Sequence, residues 1–179
     1  MVNNTQECIQ RAVYELVCDR STDQITVNDI LRAANVSRPT FYRYFQDKYA
    51  VVYSIYDLHI QGIRETFLKN KDYKELLSNF YRIFYEHRVF YNNLLSFGQI
   101  QNSFYSYWEQ QNYEQTFAEI NHKRISDEIT VAVSMVIHGS MHISMDLIQG
   151  KLNIPPEEAA DYVIKNMPPV LKEILQVID

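Results

Sequence analysis

Glycine and proline are scarce in this sequence, with four and five copies in 179 residues. Both residue types interrupt helices, so long segments without them favour helix wherever apolar side chains recur every three or four positions. Hydrophobic side chains make up 46% of the chain, which is enough for one large core or two smaller ones. The sequence therefore predicts an all-α protein of about nine helices.

Cysteine is also rare, and its two copies argue against a disulfide framework. Cys8 and Cys18 stand ten positions apart in a single predicted helix, about 15 Å along its axis, which is too far for a disulfide bond. Free thiols fit a reducing cytoplasm. The first twenty residues carry charges of both signs and contain no apolar block, so they do not resemble a signal peptide. We therefore expect a cytoplasmic protein.

Motifs of common enzyme classes are missing as well. The chain has no Gly-x-Ser-x-Gly nucleophile elbow, no glycine-rich phosphate loop and no recognisable pair of catalytic carboxylates. The net charge of −5 argues against a nucleic-acid partner for the whole chain. Residues 1–50, however, are electrically neutral, and the acidic excess lies in the remainder. The sequence predicts no enzyme and no cofactor, and it leaves the N-terminal part free to bind a polyanion.

What is present is a short aromatic and basic segment, residues 36–48. Ser37 is a good N-cap, and Pro39 falls in the first turn, where its missing N–H would have no helical partner. Phe41 and Phe45 lie one turn apart and should face a core. The side chains that must meet solvent or a partner are Arg38, Pro39, Thr40, Tyr42 and Arg43.

A second capping pattern lies just upstream. Thr26 is a candidate N-cap and Asp29 stands at N3, as in an acidic capping box, which predicts a short helix over residues 26–34. Only Asn35-Val36-Ser37 separates the two helices, and asparagine tolerates the left-handed conformation that a tight corner needs. Two short helices joined in this way indicate a helix-turn-helix.

The exposed face of the second helix suits DNA. Arginine side chains can fork onto guanine or phosphate, a threonine can meet a base edge, and a tyrosine hydroxyl can donate to a phosphate. After Phe45, Asp47 is a candidate N-cap for a long third helix that begins at Lys48. A lysine beside free backbone N–H groups at a helix start is suited to binding a phosphate.

These residues together resemble the DNA-binding domain of the tetracycline-repressor family of bacterial regulators. The resemblance covers the first third of the chain and rests on Ala-x-Val-Ser-x-x-Thr-x-Tyr-x-Tyr-Phe-x-x-Lys, which combines caps, corner, core and contact positions. Asn35 departs from the glycine that is usual in the family, but asparagine can adopt the same backbone geometry. The resemblance implies phosphate contacts by Thr26, Tyr42, Tyr44 and Lys48, and base-edge positions for Arg38, Pro39, Thr40 and Arg43, next to the capping Ser37.

The resemblance also implies a DNA-binding domain, residues 1–46, and a helical effector-binding and dimerisation domain, residues 47–179. Residues 129–145 carry no Asp, Glu, Lys or Arg and approach the length of a membrane span. Their scattered Ser, Thr and His side chains are costly in lipid, so we expect a helix buried against a partner and no membrane contact. The family's last two helices, here residues 127–149 and 157–177, imply a homodimer.

Aromatic side chains are abundant in the second domain, and most of them should be core. The resemblance implies that a few line a cavity for a small hydrophobic or aromatic effector with one or two polar groups. His138, His142 and Asp146 recur at every fourth position of one helix and could line this cavity, the dimer seam or a metal site. The candidate effector-binding residues are Phe80, Phe84, His87, Phe104, Tyr107, Trp108, Met135, His138 and His142.

The predicted function is that of a sequence-specific DNA-binding regulator that a small molecule releases from an inverted-repeat operator. Most members of the resembled family are repressors. A helical module for small molecules or for protein partners, without DNA-regulated activity, is the alternative. DNA protection by the purified protein would distinguish the two functions.

Overall fold

The computed structural model describes residues 5–95, 99–120 and 125–177. These residues form ten α-helices and one turn of 3-10 helix, Thr22–Gln24, and no strand occurs among them. The prediction of an all-α fold with about nine helices is confirmed. The helices are α1 (Thr5–Asp19), α2 (Val27–Ala34), α3 (Arg38–Tyr44), α4 (Lys48–Asn70), α5 (Tyr73–Glu86), α6 (Arg88–Leu95), α7 (Gln99–Ile120), α8 (Asp127–Ile148), α9 (Pro156–Asn166) and α10 (Pro169–Leu175).

The chain divides into two compact units, and the first contains the helix-turn-helix. It comprises Met1–Ile60 and Val89–Ser106. Val13 and Val17 lie one helical turn apart on α1 and are at most 2% exposed. α1 packs against α2, whose Ile30 is fully buried. The apolar stripe of α1 therefore braces the start of the helix-turn-helix.

An aromatic cluster joins α1, α4 and α6 within this first unit. The Tyr14 ring stacks on Phe90 with centroids 4.9 Å apart, and the His59 ring meets Tyr14 edge-on at 6.1 Å. His59 Nδ1 also lies 2.9 Å from the Tyr91 hydroxyl. Burial raises the pKa of Tyr91 well above its usual value, so this hydroxyl stays neutral. The cluster fixes three helices of the unit to one another.

The second unit comprises Gln61–Arg88 and Tyr107–Asp179. Within it, α5 packs against α8 and α9. Ala159 and Ala160 of α9 are buried, and their small side chains let neighbouring helices approach closely. The central buried cluster consists of Tyr81, Leu147, Ala159 and Ala160.

The C-terminal segment forms two helices, whereas one helix over residues 157–177 is expected from the sequence. α9 ends at Asn166, and Met167 takes an extended conformation with φ −63° and ψ 136°. Residues that precede a proline are driven out of the helical region, and Pro168 and Pro169 both follow here. The two prolines therefore break the helix completely, and α10 starts afresh at Pro169.

α8 contains the uncharged stretch of residues 129–145. By length and composition it is the one described helix that could cross a membrane, a test that core helices of water-soluble proteins also pass. Only 39% of its most apolar 18-residue stretch is buried within the chain. Val131 and Met135, one turn apart, remain 58% and 64% exposed. One side of α8 therefore packs inside the second unit, and the other side carries uncovered apolar surface.

The predicted boundary between residues 46 and 47 does not coincide with the division into compact units. The first unit includes all described residues of the predicted DNA-binding domain together with Lys48 to Ile60 of α4 and most of α6. Compactness and function need not divide a chain at the same place. The functional boundary stays a prediction.

Candidate nucleic-acid interface

The start of α2 is a capping box, as the sequence predicts. The Thr26 N–H donates to Asp29 Oδ2 at 2.9 Å, and the Asp29 N–H donates to Thr26 Oγ1 at 3.2 Å. The Thr26 hydroxyl donates to the same carboxylate at 2.7 Å. This hydroxyl, the Thr26 N–H and then Arg32 lower the pKa of Asp29 to about 2. Thr26 is exposed beside this box, and its own donors are already engaged with Asp29.

The corner between α2 and α3 depends on Asn35. Its φ of 51° and ψ of 49° are left-handed, as the sequence predicts. Its N–H donates to the last turn of α2, and the Val36 N–H reaches back to the Leu31 carbonyl at 3.1 Å. This is the pattern by which a left-handed residue ends a helix and turns the chain. The corner brings α3 directly after α2 with only two residues between Asn35 and Arg38.

α3 begins with its predicted cap and buries its predicted core. Ser37 Oγ accepts the Thr40 N–H at 3.3 Å and lies 2.8 Å from the Thr40 hydroxyl. Pro39 occupies the first turn. Phe41 is fully buried and Phe45 is 6% exposed. These contacts fix which face of α3 points outward.

The outward face of α3 carries the predicted DNA-contacting residues. Arg38, Pro39 and Arg43 are exposed, and Tyr42 and Tyr44 are 47% and 38% exposed. Thr40 is half-buried, and its hydroxyl pairs with that of the exposed Ser37 at the start of the helix. The face offers two guanidinium groups and two phenol hydroxyls to a partner, which is a donor set suited to phosphates and base edges.

The two arginines of this face are held by neighbours. Arg38 Nη2 donates to Asn28 Oδ1 on α2 at 2.7 Å. The guanidinium of Arg43 lies 5.0 Å from the centre of the Tyr44 ring, and its Nη2 lies 3.4 Å from the Tyr44 hydroxyl. Sequence reasoning missed Asn28, because a contact between two helices has no local signal. Asn28 is exposed on α2, so it belongs to the candidate interface.

The start of α4 has the predicted N-cap, Asp47, and a contact of Lys48 that the sequence does not predict. Asp47 Oδ1 accepts the Ala50 N–H at 2.9 Å and caps the helix. Lys48 is half-buried, and its Nζ donates to the backbone carbonyls of Thr22 at 2.9 Å and Ile25 at 2.8 Å. Its phosphate contact stays a prediction, and two of the three ammonium donors already have partners.

The predicted effector-binding residues fall into several places. Phe84 and Trp108 are fully buried in the second unit, and their rings stack with centroids 4.6 Å apart. The Phe80 ring also stacks on Trp108, with a distance of 6.2 Å between the ring centroids. Phe104 is buried in the first unit against Tyr56. The first three form one aromatic stack, which does not include Phe104.

The remaining effector candidates lie nearer the surface. His87 and Tyr107 are half-buried, and burial lowers the pKa of His87. Met135, His138 and His142 are exposed on α8. His138 Nε2 lies 2.5 Å from Glu109 Oε1 of α7. Across residues 5–95, 99–120 and 125–177, no three His, Cys, Asp or Glu side chains converge as a metal-ligand set.

Comparisons with known proteins point to one family. Residues 11–55 match the family described as bacterial regulatory proteins, tetR family. The dhaKLM operon transcriptional activator DhaS of Lactococcus lactis is 30% identical over 110 residues, which span 59% of this chain and 57% of DhaS. An uncharacterized HTH-type transcriptional regulator of Mycobacterium tuberculosis is 37% identical over 70 residues, which span 38% of this chain and 37% of that protein. The matched residues thus span a little more than half of DhaS and just over a third of the mycobacterial protein.

Solved structures agree on the fold over nearly the whole chain. A tetR-family transcriptional regulator from Streptomyces coelicolor superposes with a TM-score of 0.66 at 15% identity, covering 98% of this chain and 88% of that one. The dihydroxyacetone kinase operon activator DhaS superposes with a TM-score of 0.61 at 20% identity, covering 97% of both chains. At these identities the likeness concerns the fold alone. Residues 11–55 therefore match the tetR family of bacterial regulatory proteins, and the fold of nearly the whole chain is similar to that of solved structures of tetR-family regulators.

Proposed function

We propose that the protein is a sequence-specific DNA-binding transcriptional regulator and not an enzyme. The observation that carries the proposal is the outward face of α3, where Arg38, Tyr42, Arg43 and Tyr44 are exposed while Phe41 is fully buried. No acidic residue lies in positions 36–46, so this face does not repel a phosphate backbone. A cytoplasmic location follows from this function.

The proposed division of roles within the interface follows side-chain chemistry. Arg38 and Arg43, with Pro39 and Thr40, lie nearest to base edges, where a guanidinium can bind guanine through two donors. Tyr42 and Tyr44 donate their hydroxyls to phosphates, which position the protein without reading sequence. With so few cations on one copy, non-specific affinity should be low, and a second copy should be needed for tight binding.

We propose a homodimer in which the exposed side of α8 packs against a second copy. Val131, Met135 and Gly139 recur at every fourth position there, and nothing lies within 4 Å of a Cβ placed on Gly139. Exposed apolar surface on one face of a long helix favours association with a partner helix. A two-fold dimer presents two copies of α3 to half-sites about one DNA turn, or about 34 Å, apart or a multiple of that distance.

The dimer can be tested with two matched surface substitutions. Met135→Lys places a charge on the proposed interface, whereas Leu68→Lys places one on an equally exposed position of α4; the parent side chains are 64% and 61% exposed. We expect Met135→Lys to weaken self-association by about tenfold or more, or ~1.4 kcal/mol, and Leu68→Lys to leave it unchanged. Sedimentation equilibrium measures both. A stable monomer for the unmodified protein at micromolar concentration would contradict the proposal.

We further propose that a small, mostly hydrophobic effector releases the protein from DNA. The support is the largely buried aromatic stack of Phe80, Phe84 and Trp108, whose apolar rings suit a mostly hydrophobic molecule. A ligand can shift DNA binding only by its preference for one of two conformations, typically about 1–3 kcal/mol of coupling. DhaS is named as an activator, so a reporter assay with and without effector decides the sign of regulation for this protein.

The decisive experiment is DNA protection on the region upstream of the protein's own gene. We expect a protected inverted repeat and its loss in Arg38→Ala. Arg88→Ala is the matched control, because Arg88 is an exposed arginine of the second unit. Equal protection by Arg38→Ala and the unmodified protein would refute the assignment of α3, and no protection on any DNA would favour the helical binding module instead.

A further inference from the structure

The Lys48 side chain makes contacts that a phosphate-binding role does not require. Its Nζ donates to the carbonyl of Thr22 at 2.9 Å and to the carbonyl of Ile25 at 2.8 Å. The ammonium also lies 5.6 Å from the centre of the Tyr49 ring. Two donors of a lysine are thus directed at backbone oxygens of its own chain. The side chain is oriented inward, toward the segment that connects α1 to α2.

The two carbonyls belong to the backbone that leads directly into α2. Thr22 begins the 3-10 turn and is 2% exposed, and Ile25 follows that turn and is also 2% exposed. The next residue is Thr26, the N-cap of α2. A single ammonium therefore joins the first turn of α4 to the segment that sets where α2 starts, across 26 and 23 positions of sequence.

A second side chain holds the same connection at its other end. Asn93 of α6 donates its Nδ2–H to the carbonyl of Val17 at 2.9 Å and to that of Cys18 at 3.3 Å, both in the last turn of α1. The Thr22 hydroxyl donates back to the Asn93 carbonyl at 3.5 Å. The connection between α1 and α2 is thus held by side chains of α4 and α6, and not by its own residues alone.

We propose that Lys48 is a positioning residue for DNA recognition. Its ammonium fixes the segment before Thr26, and thereby the orientation of α2 and α3, and it does not itself bind a phosphate. If the ammonium moved to a phosphate, the carbonyls of Thr22 and Ile25 would lose a charged donor in a half-buried place, which is unfavourable. The inference rests on the proposed function, because it concerns how the same interface is held.

The salt dependence of DNA binding separates positioning from phosphate contact. Each phosphate that the protein neutralises contributes about −0.9 to the slope of log K against log salt concentration. In Lys48→Met, which keeps the length of the aliphatic part of the side chain and removes the donors, we expect operator affinity at fixed salt to fall by about tenfold, or ~1.4 kcal/mol. The slope should equal that of the unmodified protein. A slope smaller in magnitude by about 0.9 would overturn the proposal, because Lys48 would then be a phosphate ligand.

Local backbone protection and a stability-matched control complete the test. Lys48→Met should accelerate hydrogen exchange at the amides of Ile25, Asp29 and Ile30, which donate to oxygens of residues 22 and 26. Val52→Ala shortens a buried side chain of α4 that is 1% exposed, so it should lower thermal stability. It should leave the operator affinity unchanged and should not accelerate exchange at those three amides selectively. Unchanged exchange in Lys48→Met, or an equal loss of affinity in Val52→Ala, would overturn the proposal. If the unmodified protein bound no DNA, the proposed function would fail, while the exchange measurement would still test the contact.

Discussion

The contact between Arg38 and Asn28 should raise DNA affinity through Arg38 alone. Arg38 Nη2 lies 2.7 Å from Asn28 Oδ1, and both side chains are exposed. A free arginine side chain carries about 2 kcal/mol of rotamer entropy, part of which is lost when it binds a base. The bond to Asn28 orders Arg38 before DNA arrives, so less entropy remains to be lost on binding. Removing Asn28 should therefore weaken binding without removing a DNA contact.

The magnitude follows from the type of hydrogen bond. Arg38→Ala should cost about 1–3 kcal/mol of binding free energy and relax preference at the base pair that Arg38 reads. Asn28→Ala should cost about 0.5–1 kcal/mol, because the bond is charge-assisted but exposed to water. Alanine is favourable within a helix, so the folded state of Asn28→Ala should be as stable as that of the unmodified protein.

A double-mutant cycle on a defined operator tests this reasoning. Four proteins are compared by fluorescence anisotropy at one salt concentration: the unmodified chain, Asn28→Ala, Arg38→Ala and the double variant. We expect Asn28→Ala to have no effect once Arg38 is absent, so that the coupling free energy equals the whole cost of the Asn28 substitution. An Asn28 cost that is the same in both backgrounds would refute the reasoning and make Asn28 a direct DNA contact.

Three further predictions concern the corner, the cap and the aromatic stack. Asn35→Gly should preserve or slightly raise the free energy of unfolding, because glycine has no Cβ to oppose a φ of 51°. Asn35→Ala should lower it by about 1 kcal/mol, because alanine has a Cβ but lacks the polar side chain that lets asparagine adopt this conformation; urea unfolding measures both. The folded-state pKa of Asp29 is lowered to about 2. The carboxylate therefore contributes its full stabilisation above about pH 4 and loses it as the pH falls through about 2. In an acid titration, the difference in stability between the unmodified protein and Asp29→Asn should shrink over that pH interval. Trp108 is the chain's single tryptophan and stacks on Phe84, so an effector that binds against this stack should change the indole emission, and a compound that weakens operator binding without that change would bind elsewhere.

Local signals were sufficient to predict the helix-turn-helix. The caps at Thr26, Ser37 and Asp47 and the left-handed Asn35 involve side chains and backbone groups within a few positions of each other, and all four are confirmed. The burial of Phe41 follows from helical spacing in the same way. These features depend on the sequence alone because the backbone of one or two turns determines them.

Contacts between distant segments could not be predicted in this way. The partners of Lys48 lie 23 and 26 positions away, and those of Asn93 lie 75 and 76 positions away. The sequence places Lys48 at a helix start, where a phosphate is a suitable partner, but only the fold brings backbone carbonyls to the same ammonium. Burial of the effector candidates is equally non-local, since Met135 of the apolar α8 is 64% exposed whereas Trp108 of the more polar α7 is fully buried.

The basic side chains of the candidate interface share one property, which is important because residues 1–50 carry no net charge. Arg38 is bonded to Asn28, Arg43 lies over the Tyr44 ring, and Lys48 is fixed to two carbonyls. A surface with many free cations gains affinity from counterion release on any sequence, but this one has few cations and orders them in advance. Ordered side chains lose less entropy on binding and discriminate more strongly against a target whose acceptors are displaced. Under the proposed function, we therefore expect geometric selection of an operator to outweigh electrostatic attraction to DNA in general.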